Sequence, residues 1–349
     1  MKAMNPQFEW GTNKIKFEGD LCASKAMLAG PAPSAAVVAN ATPNDAMARS
    51  FVHEYTHYLQ SLVCMHGVTL LNLKLAIELK LAALPTDSTA VLKPKLHFVP
   101  ELQTEERPPP WRITRVGVVD PPRVDIFHSA HMSPLATTVA LSSSFDLVPL
   151  RTVTFCEGMA RLADRAYVHH EGAPTRKNDD PTTEARLYSL VATHLRTTFG
   201  LSDDLISAVC LLALASEFPD IAFAELCEEL STSQREPETK CAVALAQRLI
   251  NKNLIGRPLL AGSLAGLQRS SATNLTLKSL FSVYEALCLK ALDAVLNDPL
   301  IWAPSKMTWS GIQNLLRTWG SPVVLAANDE VCLQICGENI NTVPFLNAL

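Results

Sequence analysis

Hydrophobic and polar positions along the chain fall into two periods. Residues 6–19 alternate, with Phe8 and Trp10 on one side of Gly11-Thr12-Asn13 and Ile15 and Phe17 on the other, which predicts a β-hairpin. A Gly/Pro/Ala-rich stretch over 29–34 leads into a predicted strand at Ala35–Ala39. The period then becomes helical. Thr42-Pro43-Asn44-Asp45 supplies a capping hydroxyl, a proline for the first turn and an acid, and Gly67 supplies a stop. Residues 68–84 are apolar with Lys74, Glu78 and Lys80 interspersed; a helix or a pair of strands fits, and helix is favoured. Prolines crowd the span from Pro85 to Pro134, which reads as an insertion over 85–136 of loops and short strands such as Ile113–Val119. Strand-like alternation returns from Thr137 to Thr154, and a helix follows from Phe155 to about Tyr167, closed by His169-His170. Beyond a polar loop, three-and-four spacing predicts helices at 182–199, 203–217, 219–231, 238–251, 275–297 and 309–319. The expected class is α+β and predominantly α-helical, with a small N-terminal β-sheet. Polar Ser231–Glu238 divides a core over 1–231 from a helical region over 232–349, or is only an interhelical loop.

Composition narrows the function classes. The chain has 349 residues, enough for a substantial core, with 48% hydrophobic residues, 18% charged residues and a net charge of −4. No basic surplus points to nucleic acid. Nine scattered cysteines suit reduced thiols, and Cys332 and Cys336 read as buried packing rather than a metal pair. The first residues lack the apolar run of a Sec signal, and the longest apolar run, Leu205–Ser216, is too short to span a bilayer. A cytoplasmic protein without membrane association is expected, with non-Sec export left open. The C-terminal helices carry no chemical motif; they are core, a specificity module or a docking surface for a protein partner.

One stretch carries chemistry: Phe51–Gln60, FVHEYTHYLQ, with the pattern His53-Glu54-x-x-His57. One helical turn apart, the two histidines share a face with Cβ atoms about 5–6 Å apart, which suits a shared metal ion. Glu54 lies about 100° from His53 and about 60° from His57 around the axis, bordering the metal stripe. It is placed to act on a water molecule rather than to ligate. Phe51, Val52, Tyr55, Leu59, Leu62 and Val63 form an apolar back, and Gln60 joins the front one turn past His57. The competing interpretation is a helix with two surface histidines and a capping or salt-bridging glutamate.

The motif resembles that of the HExxH zinc metallopeptidases, the zincins. Metzincins continue with Gly three and His six residues after the second His; here those positions are Gln60 and Val63, and His66 projects from the back. The gluzincin branch instead takes a third ligand from a Glu on a later helix. Phe155-Cys156-Glu157-Gly158-Met159-Ala160-Arg161 is similar to the third-ligand helix of small bacterial gluzincins, a hundred positions after His57. The resemblance implies a zincin-like core and a Zn²⁺ site of His53, His57 and Glu157. It also implies a Tyr or His donor for the oxyanion, for which Tyr167, His170, His169 and Tyr188 are eligible. Asp164, seven residues past Glu157, could orient a ligand histidine; Arg161 stands where thermolysin-like enzymes place such an Asp. His128 and His131 read as incidental.

The implied activity is a zinc-dependent peptidase with Glu54 as general base and a peptide or protein as substrate. Two alternatives stand beside it. One is a zinc-binding non-peptidase hydrolase or a protease-derived binding protein. The other is a helical interaction module whose HExxH is coincidental.

Overall fold

The computed structural model describes residues 7–9, 14–16, 46–65, 67–68, 124–127, 138–143, 146–150, 152–171, 183–233, 237–270, 275–320, 323–325 and 331–333. The predicted strand at 35–39, the segment 69–84, Ile113–Val119 and the pair His128 and His131 lie outside them.

The described residues are predominantly helical. A hairpin of β1 (Gln7–Glu9) and β2 (Lys14–Lys16) pairs in the antiparallel register Phe8 to Ile15. The helix α1 (Ala46–Ser61) follows. A second sheet contains β3 (Val124–Phe127), β4 (Thr138–Ser143) and β5 (Asp146–Pro149), all antiparallel. It joins residues on both sides of position 136, so the expected insertion boundary at 136 cuts through one meander. Then come α2 (Thr152–Glu171), α3 (Thr183–Phe199), α4 (Asp203–Leu214), α5 (Pro219–Ser233), α6 (Glu238–Asn251), α7 (Arg257–Ser270), α8 (Leu275–Asn297), a short 3₁₀ turn at Pro304–Lys306, and α9 (Trp309–Trp319). Finally β6 (Val323–Leu325) pairs parallel with β2 and antiparallel with β7 (Val331–Leu333). Cys332 therefore sits in a strand, and Cys336 lies outside the described residues.

Helix α4 explains the packing. Ser202 caps it by accepting from the Leu205 amide at 3.3 Å, and Asp203 and Asp204 oppose the positive end of its dipole. Every residue from Leu205 to Leu214 is buried, as expected of a helix apolar all round. Helix α2 packs between α4 on one side and α1 on the other. Phe155 of α2 also meets Phe223 of α5, ring centroids 5.4 Å apart, so α2 is held from behind. The core is one apolar cluster from Phe51 to Trp319, shared by residues before and after position 231.

Two elements depart from the pattern-based reading. Helix α7 was not expected, because Gly262 and Gly266 lower its propensity; it forms because Leu260, Leu264 and Leu267 share a buried face. Helix α1 ends at Ser61 rather than at Gly67. The Leu62 and Cys64 amides donate back to the Leu59 and Gln60 carbonyls, and the Ser61 hydroxyl to the Tyr58 carbonyl, tightening the last turn. No helix among the described residues is long and apolar enough to cross a membrane.

Candidate metal centre

Helices α1 and α2 run antiparallel, and three polar clasps mark their register. At one end Arg49 of α1 forms a bidentate ion pair with Asp164 of α2, Nη2 to Oδ2 at 2.9 Å. In the middle His53 and His57 face Glu157. At the other end Gln60 donates to the carbonyl of Cys156 at 2.9 Å. The apolar back predicted for α1 is buried throughout; its Tyr55 hydroxyl donates to the carbonyl of Gly320, just past α9, at 2.9 Å, and the neighbouring Tyr58 hydroxyl to that of Trp319 at 2.7 Å. Gly320 turns the chain at φ 76°, a backbone conformation that favours glycine, and so brings those carbonyls to α1.

The front of α1 is buried as well. Glu54 is 7% exposed, His57 4% and Gln60 0%. Polar groups buried this deeply are costly unless paired, and this excludes two histidines on a solvated face. His53 Nε2 lies 3.4 Å from one Glu157 oxygen and His57 Nε2 lies 3.4 Å from the other. The two imidazoles stand edge-on with centroids 5.0 Å apart. Glu157 and His53 keep 25% and 21% of their side chains exposed, so the cluster opens toward solvent on that side.

The three donor atoms all lie within 4.8 Å of one another, the only such group able to hold a metal ion among the described residues. The two nitrogens face different oxygens of the Glu157 carboxylate, and two imidazoles with one carboxylate are a donor set that could hold a metal ion.

Electrostatics couples the three groups. Burial alone would lower His57, but the charge and hydrogen bonding of Glu157, with contributions from Glu54 and Gln60, outweigh it and hold the imidazole up at about 9. For Glu157, burial would raise the carboxyl, but His57 and His53 hold it well below the usual carboxylate range.

Other expected residues fall elsewhere. Tyr167 lies ten residues past Glu157 on α2, about 15 Å along the axis, and is fully buried in the core. His170 lies thirteen residues past it, about 20 Å along, and is exposed. Neither is brought to the cluster, which corrects their assignment as oxyanion donors. His169 and His170 occupy the last turn of α2, where cations suit the negative end of the dipole. Tyr188 is in α3, with its side chain outside the described residues. Asp164 pairs with Arg49, and it is Gln60 that meets the ring of His57, at 2.8 Å from Nδ1. Arg49 was missed from sequence, although it stands one turn before His53 on the same stripe. Among the described residues six cysteines are free and buried, and burial pushes the thiols of Cys210, Cys227 and Cys288 up to about 12, which suits inert packing groups.

No family model, no curated protein and no solved structure matches the chain.

Proposed function

We propose that this chain is a zinc-dependent peptidase in which His53, His57 and Glu157 hold the metal and Glu54 is the general base. One observation carries the reading: two imidazole nitrogens from a His-Glu-x-x-His helix each lie 3.4 Å from a carboxylate oxygen of a residue a hundred positions away. The arrangement resembles the gluzincin plan, with its third ligand on a later helix, and on that resemblance rests the zincin-like character of the core. When bound, zinc supplies Lewis acidity and lowers the pKa of a water molecule to about 7.

The chain's own residues supply the rest. Glu54, buried beside the ligands, accepts a proton from the attacking water and returns it to the leaving nitrogen. Burial keeps its carboxylate away from competing bulk water. The side of the cluster where His53 and Glu157 are partly exposed is the side from which a peptide carbonyl approaches. The Arg49–Asp164 and Gln60–Cys156 clasps hold α1 and α2 in register on either side of the ligands.

The test is digestion of a broad peptide library by wild type and by Glu54→Gln, with zinc content measured on both. The expected result is cleavage by wild type and a loss of roughly 10²–10⁴-fold in Glu54→Gln at unchanged zinc content. Equal cleavage by both proteins would remove Glu54 as the base. Zinc without cleavage of any peptide would favour a non-peptidase hydrolase or a binding protein.

A further inference from the structure

Gln60 contacts both helices of the centre, and beyond its clasp on Cys156 it also touches the ring of His57. Its side chain is completely buried. Its Nε2 lies 2.9 Å from the carbonyl oxygen of Cys156, and its Oε1 lies 2.8 Å from Nδ1 of His57. A backbone carbonyl can only accept, so the amide must present its NH₂ to Cys156. That fixes the amide against flipping and leaves only the carbonyl oxygen for His57. An amide oxygen likewise only accepts, so Nδ1 of His57 must carry a proton and donate it. In the neutral ring the lone pair is then confined to Nε2, the nitrogen 3.4 Å from Glu157. The anchor of this chain of constraints is the backbone carbonyl immediately before Glu157, so one side chain ties the tautomer of one ligand to the position of another.

We infer that Gln60 is the positioning residue of the metal centre: it holds His57 as the Nδ1–H tautomer, aims Nε2 at the metal, and locks that orientation to the α2 backbone beside Glu157. The inference rests on the zinc reading. A neutral amide orients the ring without adding a charge to a buried site that already holds Glu54 and Glu157. Groups that orient a metal-bound histidine through its other nitrogen typically carry about 10–100-fold in metal affinity.

The test measures zinc affinity by chelator competition for wild type, Gln60→Met and Gln60→Glu, and records long-range ¹H–¹⁵N spectra of His57 in each zinc-loaded protein. Met conserves length but removes the acceptor; Glu keeps an acceptor oxygen. The expected wild-type spectrum shows His57 bound through Nε2 with its proton on Nδ1. Gln60→Met is expected to lose about 10–100-fold in affinity and to shift the His57 ring signals, while Gln60→Glu keeps the Nδ1–H tautomer and most of the affinity. Wild-type affinity and an unchanged His57 spectrum in Gln60→Met would overturn the inference, as would Gln60→Glu binding as weakly as Gln60→Met. If Gln60→Met does not fold, the wild-type spectrum decides: His57 coordinated through Nδ1 overturns the role of Gln60. Wild type that takes up no zinc at all overturns the metal reading itself, a result distinct from each of these.

Discussion

His57 sits where two opposing effects meet, and their balance is measurable residue by residue. Burial favours the neutral ring, and Glu157 favours the imidazolium; the second wins, giving a pKa of about 9 against an ordinary 6.5. In the metal-free protein His57 should therefore titrate near 9 by NMR. In Glu157→Gln, with the carboxylate gone, burial should prevail and the titration should move downward by more than a unit. A His57 that titrates at the same pH in both proteins would contradict the coupling. The sign for stability follows. A raised folded-state pKa stabilises the metal-free fold fully below about 6.5, and that contribution is lost as pH rises through about 9. Zinc loading should flatten this dependence, because a ligand imidazole is deprotonated already.

At the scale of elements, the pairing of α1 with α2 sets the site, and the Arg49–Asp164 clasp is the part of it that can be removed without touching a ligand. Both side chains are largely buried, at 9% and 14% exposure. Arg49→Met should destabilise the fold by about 3 kcal/mol in denaturant titration, because Asp164 is left charged and unpaired. The double variant Arg49→Met with Asp164→Leu should recover most of that loss; a single variant as stable as wild type would show that the clasp is not structural. On the back of α1, Tyr55→Phe should cost about 1 kcal/mol through the Gly320 carbonyl it abandons. Much of this was legible in the sequence. His53, Glu54 and His57 declare themselves by spacing, and the apolar back of α1 by its period. Glu157 was found only through a resemblance, since nothing local to Phe155–Arg161 says which distant helix it faces. Arg49 and Asp164 are complementary charges offset alike from the ligands, but that match exists only once the helices are known to be antiparallel. The oxyanion donors were misassigned because eligibility was judged by residue type, whereas distance along α2 decides reach. Helix α7 was hidden because glycines mask a leucine face that tertiary packing rescues.

For the whole molecule, the two helices that carry the proposed ligands belong to a single core that extends to Trp319, so a bound metal should stabilise the fold as a unit. Zinc at about 100 times its Kd should add about 2.7 kcal/mol to unfolding stability, reversed by a chelator and absent when the ligand set is broken. A fold indifferent to zinc would point to a helical scaffold whose His-Glu-x-x-His has no metal. The most direct measurement is the metal content of purified protein by mass spectrometry, on wild type and on Glu157→Ala prepared in parallel. The account predicts about one zinc ion per wild-type chain and a large reduction in the variant. A wild type that stays metal-free after reconstitution with zinc, or a Glu157→Ala protein that holds zinc as well as wild type, would contradict it.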